Sequence, residues 1–390
     1  MPRPMRVLAF GAYDPAYSRN RTLLDGLRLS GVDVVECRAA LWRDTDDKVA
    51  AMRGGALSPT FARRVLETYA ALIRQYRRVG DYDVMLALYG SLVDVFLARI
   101  LSRLSRRPLI FDVFMSAWVI SKERGLFQPG DARDRAIRAV EGAALRMADG
   151  LWIDTRQYVG VHQRLYGIAA DKFRLIPTGS DSRYFYPAPD YLAHAASRRP
   201  TFRVVYHGLF IPLHGTRWIV QAADRLRTHP DVQFTFIGDG HARQETERLA
   251  REMALTNVEF TGRVPREALR ERIADADVCL GVFGSQLQGQ VTIPNKIFEG
   301  MAMGKPVITG RTPAAADAFR HGAEVYFVPS SDPDALADAI LALRDNAPLR
   351  AALAYGGRRL FAARYDLPRL GALARAHLEE FLDASIHPRP

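Results

Sequence analysis

Residues 278–309 read VCLGVFGSQLQGQVTIPNKIFEGMAMGKPVIT, and their order of apolar and polar positions decides the fold. A buried strand runs to Phe283 and a flexible Gly- and Gln-containing segment follows; Ile293 and Pro294 then open a helix that Gly304 closes before the next strand. Strand, loop, helix, strand is one parallel βαβ step. The same rhythm extends outward. It predicts strands at 203–207, 233–237, 258–261, 278–282, 306–309 and 325–328 in the second half. The first half repeats it at 6–10, 32–37, 84–88, 109–114, 151–154 and 173–177, with helical periods between. Between the halves, residues 178–201 hold Pro187, Pro189, Pro200 and Gly179, which break regular structure. The reading is therefore an α/β chain of two doubly wound domains, 1–185 and 201–366, joined by a linker at 186–200. A C-terminal helix within 367–390 carries Leu370, Leu373, Ala376, Leu378 and Phe381 and is placed across the domain boundary.

A chain of 390 residues suits two such domains, and its 48% hydrophobic and 25% charged content is that of an ordinary globular protein. No stretch approaches the roughly 20 apolar residues that span a bilayer, and residues 1–6 lead straight into a strand, so a cytoplasmic protein is expected. Cys37 and Cys279 sit in separate apolar runs without metal-ligand spacing and read as buried thiols. The net charge of +11 suits an anionic membrane surface or phosphate-bearing substrates. Only five of the 54 basic residues are lysines, so an Arg- and Ala-rich codon bias explains the charge equally well. Nucleic acid is excluded as a partner because no basic helix interleaved with stacking aromatics is present.

The chemistry concentrates on the helix after Pro294. Proline fits a first turn, where amides without intrahelical partners face an anion, and Asn295 lies beside it. Lys296 and Glu299 stand three apart on one face, whereas Ile297 and Met301 share another that packs inward. A lysine beside a helix start stabilises a departing diphosphate more in the transition state than in the ground state. A carboxylate such as Glu299 suits the hydroxyls of a ribose. No metal is expected: Asp275 and Asp277 close a helix, and residues 44–47 form a polar loop with three aspartates. Nor is there a persuasive Ser, His and Asp triad, zinc spacing or Walker loop.

The segment IPNKIFEGMAMGKPVIT resembles the donor site of the retaining glycosyltransferases of family four in the GT-B group. So do VVYHGLFIPLHG at 204–215, FIGDG at 236–240, VEFTGR at 258–263, LIFDVFMS at 109–116 and DKFRLIPTGSDSRYFYP at 171–187, in that order. The resemblance implies a GT-B fold, two Rossmann-like domains facing a cleft, with acceptor recognition in the first domain and a nucleotide-sugar donor in the second. It places Glu299 on the ribose and Lys296, with His214, at the diphosphate as the catalytic groups. Gly11, Gly208, Arg263, Pro294 and Asn295 join the donor site, and Asp112 and Ser116 the acceptor side. The chain departs from the family pattern at Val291, where many members carry a first glutamate, and at Leu209 and His214, where many carry Arg and Lys.

What the resemblance implies is sugar transfer with retention to a glycan or lipid-linked acceptor, in envelope or polysaccharide assembly. Two rivals share the fold: a sugar-nucleotide epimerase, and a non-catalytic partner subunit with a decayed donor site. The segment 114–127, with Trp118, Val119 and Ile120 beside Lys122 and Arg124, reads either as a surface for the inner face of a membrane or as a loop packed on its own domain.

Overall fold

A computed structural model describes residues 3–41, 59–90 and 92–386. The aspartates of the polar loop at 44–47 lie outside the described residues. The chain divides into two compact units, Met1–Pro177 with Leu370–Pro390, and Thr178–Arg369.

The first unit is built on a six-stranded parallel sheet: β1 (Arg6–Gly11), β2 (Asp33–Arg38), β3 (Val84–Ala87), β4 (Leu109–Phe114), β5 (Gly150–Ile153) and β6 (Phe173–Leu175), in the order β2-β1-β3-β4-β5-β6. β3, β4 and β5 are buried along their whole length, as expected of strands covered by helices on both faces. Its core gathers Val7, Ala9, Val84, Leu86, Ile110 and Trp152, and takes Ala374 and Leu378 from the C-terminal helix Leu367–Ile386.

The second unit repeats the plan with β7 (Phe202–His207), β8 (Val232–Ile237), β9 (Val258–Gly262), β10 (Val278–Leu280), β11 (Val307–Gly310) and β12 (Tyr326–Val328), ordered β12-β11-β10-β7-β8-β9. Side-chain alternation along these strands sorts the core into two layers. Val204, Tyr206, Phe234, Phe236, Val278 and Leu280 pack on one face. Val205, Ile237, Cys279 and Val307 pack on the other, with Ile297, Phe298 and Met301 of helix Asn295–Ala302. Each strand expected from the sequence is present among the described residues, with ends shifted by one to three residues, the largest shift being at β10, which ends at Leu280 and not Phe283.

Two expectations are corrected. The segment read as flexible after Phe283 contains a short helix, Leu287–Val291, because the backbone ahead of it is pinned by Phe283 and Gly284 donating to the carbonyls of His214 and Leu213. Pro294 caps its helix instead of opening it, and Asn295 is the first helical residue. Of the two readings of the segment around Trp118, a membrane-facing surface or a loop packed on its own domain, the second describes its packing. Trp118, Val119 and Phe127 are buried, and the indole donates to Asp134 at 2.5 Å. Below it, the buried carboxylate of Glu141 accepts from the Ser116 hydroxyl, the Ala117 and Trp118 amides and the Tyr166 hydroxyl, which holds helix Ala117–Glu123 in place. Among the described residues no helix is long and apolar enough to cross a membrane.

Candidate functional site

In a doubly wound sheet, ligands bind outside the carboxyl ends of the strands, beside the point where strand order reverses. In the second unit that point is the junction of β7 and β10. The loop after β7 and the start of helix Asn295–Ala302 bring Lys296, His214, Gly208 and Glu299 together there.

Lys296 is 4% exposed, and its ammonium lies 3.9 Å from the ring centroid of Tyr206 and 3.1 Å from Nδ1 of His214. That Nδ1 also meets the Leu209 carbonyl and, at 2.9 Å, the Tyr206 hydroxyl, which itself donates to Leu209 at 2.6 Å. The Leu209 carbonyl can only accept and the Lys296 ammonium can only donate, so these two contacts call for opposite tautomers of the neutral His214 ring. Burial pushes the Lys296 amine well below its ordinary value, while Glu299 opposes the shift. Burial and then the Lys296 charge push His214 down as well. The surroundings of His214 oppose its imidazolium form, and the tautomer that accepts from Lys296 at Nδ1 keeps its proton on Nε2. His214 and Tyr206 both contact the lysine ammonium.

Gly208 has φ +126°, and a Cβ there would fall 3.1 Å from Cε and 3.2 Å from Nζ of Lys296. Glycine is therefore required twice, for the backbone and for the lysine. Gly208→Ala is expected to displace Lys296 and weaken nucleotide binding about tenfold, read by calorimetry, with the fold retained by circular dichroism.

Glu299 points its Oε2 at Nε2 of His207, 2.8 Å away, leaving Oε1 for a ligand. His207 is 2% exposed at the end of β7, and its Nδ1 is buried without a partner. Sequence reasoning passed over it, although it stands one residue before Gly208 in the quoted segment. Arg263 is largely exposed after β9, 3.9 Å from Asp239. Leu209 is half exposed, whereas Val291 is buried, so an apolar side chain occupies the place of the family's first glutamate.

In the first unit Gly11 has φ +127° and closes on Asp94, whose carboxylate would lie 3.0 Å from an added Cβ. Asp112 and Ser116, expected on the acceptor side, are both engaged within the first unit. Asp112 is 0% exposed and clamped by Arg19 through two bonds of 3.0 and 2.7 Å. Ser116 caps its helix and donates to Glu141. Residues the sequence did not single out also gather at this strand edge, with Tyr17 exposed, Tyr89 partly exposed, and Phe114 and Asp154 buried. Tyr17, Tyr89 and Phe114 cluster with centroids 5.1–6.3 Å apart. Phe114 holds φ +54°, a strained value for a bulky residue. After β5, Asp154 is 6% exposed with both carboxyl oxygens unpartnered.

Burial, with Asp112 adding and Arg19 opposing, pushes the Asp154 carboxyl up to about 7 from 3.8. A raised acid binds its proton more tightly folded than unfolded, so this group's contribution to stability falls as pH climbs between those two values. Asp154→Asn is expected to remove that slope: chemical denaturation at about pH 5 and about pH 8 should differ less for the variant than for the wild type. Both cysteines are buried, and burial pushes their thiols up to about 12, so neither is a thiolate near neutrality. No group of three or more His, Cys, Asp or Glu among the described residues is arranged to hold a metal ion.

The two parallel sheets and their flanking helices are those of the GT-B glycosyltransferases. Anabaena HepE in complex with UDP superposes with a TM-score of 0.68 at 15% identity, over 97% of this chain and 100% of that one. Sucrose-phosphate synthase from Thermosynechococcus elongatus gives 0.74 at 19% identity, over 98% and 100%. Residues 201–346 match the model for glycosyl transferases group 1, so the second unit carries a domain of that family. In sequence the chain is similar to a D-inositol 3-phosphate glycosyltransferase of Acidothermus cellulolyticus, 30% identical over 74% of this chain and 65% of the relative. It is also similar to the lipopolysaccharide core biosynthesis glycosyltransferase LpsD of Rhizobium meliloti, 29% identical over 50% of this chain and 54% of the relative. The matches thus span less than two thirds of these relatives.

Proposed function

We propose that this chain is a retaining glycosyltransferase whose second unit binds a nucleotide-sugar. The reading rests above all on the buried Lys296 ammonium, held by Tyr206 and His214 beside the helix that also carries Glu299. An ammonium kept from water is costly alone and gains most when a diphosphate arrives, and more again as the leaving group's charge grows. Front-face attack by an acceptor hydroxyl, assisted by the leaving phosphate, needs no enzymic nucleophile. Glu299 Oε1 accepts from a ribose hydroxyl, and Arg263 approaches the base. The acceptor is a hydroxyl of a glycan or lipid-linked glycan, recognised at the strand edge of the first unit. Both relatives named above are glycosyltransferases, which supports a sugar donor, and the name of LpsD, from lipopolysaccharide core biosynthesis, supports a lipid-linked glycan acceptor.

Calorimetry with UDP-, GDP-, ADP- and dTDP-sugars tests the donor site, using wild type beside Lys296→Ala and Glu299→Ala. Saturable binding of one donor, weakened by both substitutions, supports the reading. No binding by folded wild type across the panel sinks it. Burial holds Lys296 below its ordinary value and a bound diphosphate raises it again, so at pH values where the free amine is partly unprotonated binding takes up a proton. Observed enthalpies should therefore vary with the ionisation enthalpy of the buffer, and affinity should fall with rising pH. Charge neutralisation by Lys296 requires no metal, so EDTA is expected to leave turnover unchanged.

A further inference from the structure

On the β11 and β12 side of the loop 284–290, a recess of about 790 Å³ is lined by Ser285, Gln290, Arg311, His321, Phe327 and Ser330, among others. None of the proposed donor-site residues lines it. We propose that this recess binds the anionic group of a sugar, a phosphoryl or carboxylate oxyanion, at a site separate from the donor diphosphate.

Three observations converge on an anion. The Arg311 guanidinium follows β11, and its side chain has no ion pair or hydrogen bond among the described residues, although its backbone is tied to Val328. His321 is held in one orientation: its Nδ1 accepts the Phe327 amide at 2.9 Å, and its ring stacks on Phe327 and meets the edge of Tyr326. A ring nitrogen that accepts an N–H carries no proton, so the hydrogen sits on Nε2 and is preset as a donor. Ser330 keeps a buried hydroxyl without a hydrogen-bond partner.

The backbone is arranged around that hydroxyl. Gly310 leaves the space, since a Cβ there would lie 2.8 Å from Ser330 Oγ and 2.8 Å from the Val282 carbonyl. The next residue, Ser331, has φ +61° and is pinned by its amide to Phe283 at 2.8 Å. A left-handed serine persists only where its surroundings impose it, and such residues gather at ligand sites. The lining residues include no carboxylate, whereas sites for neutral sugars use carboxylates to accept from hydroxyls. The volume falls within the range of small-molecule sites and exceeds what a bare ion needs.

The test measures binding of glucose 6-phosphate, glucuronate and glucose to the full chain by calorimetry, at low salt, with and without saturating UDP. At least one of the two anionic sugars is expected to bind saturably and glucose not to. UDP should not compete, and Arg311→Met should weaken the anion about tenfold or more while leaving UDP affinity unchanged. Ser330→Ala should weaken it by a smaller factor. Which anion binds tells phosphoryl from carboxylate. Equal binding of glucose, displacement by UDP, indifference to Arg311→Met in a chain shown folded by circular dichroism, or no binding of either anion would each overturn the proposal. Loss of UDP binding by the wild type would count against the donor site and not against this one.

Discussion

Lys296→Ala is expected to lower kcat/KM for the donor by about 10²–10³, the range seen when a charge-stabilising donor is removed from a preorganised site. The reason lies in burial. A surface lysine would be replaced by water at little cost, but Lys296 is 4% exposed, packed over Tyr206, and is the lysine nearest the diphosphate position proposed here. The decisive comparison is Lys296→Arg. The guanidinium retains charge yet is too broad for the space that Gly208 leaves, so it should recover only part of the activity. Steady-state kinetics on donor hydrolysis or transfer would show this, and a variant with unchanged kcat/KM would remove Lys296 from the mechanism. His214→Gln should act through the lysine: it removes one of the two side chains that contact the ammonium, so donor affinity should fall by a smaller factor than in Lys296→Ala.

Arg19→Met is expected to destabilise the first unit by about 3–5 kcal/mol, because it leaves the Asp112 carboxylate buried without its partner. Arg19 is 1% exposed and makes four bonds: two to Asp112, one of 2.6 Å to the Ile176 carbonyl and one of 3.1 Å to the Pro177 carbonyl. The pair links helix Ser18–Leu29 to the end of β4 and to the chain leaving β6. Arg19→Met with Asp112→Leu should recover much of the loss, since an apolar pair escapes the cost of two buried charges. Urea unfolding of the three proteins tests this. Equal losses for the single and double variants would show that packing, not charge, governs the site.

Those two cases mark where sequence reasoning reached and where it stopped. The spacing of Lys296 and Glu299 was legible, because helical period alone puts them on one face. The setting of His214 was not legible, because its tautomer and charge depend on Leu209, Tyr206 and Lys296, of which the last is 82 residues away. Asp112 looked like a ligand group because it ends a strand at the expected edge. Arg19, 93 residues earlier, had already engaged both its oxygens. Trp118, Val119 and Ile120 beside two cations resembled a membrane-facing segment until helix Ala132–Met147 was seen to supply Asp134 and Glu141 beneath them.

By itself, then, the sequence determined the two βαβ series, the break between them and the helix that carries Lys296 and Glu299. These follow from periods of two and 3.6 residues and from Pro and Gly, which act within a few bonds of where they stand. The tertiary structure decided which polar groups are sealed from water and which are left with unused hydrogen bonds: the His207–Glu299 pair, the enclosed Lys296, the unpartnered Asp154 and the recess around Arg311. Burial and desolvation are set by the atoms that pack around a group, and most of those come from elements far away in the chain.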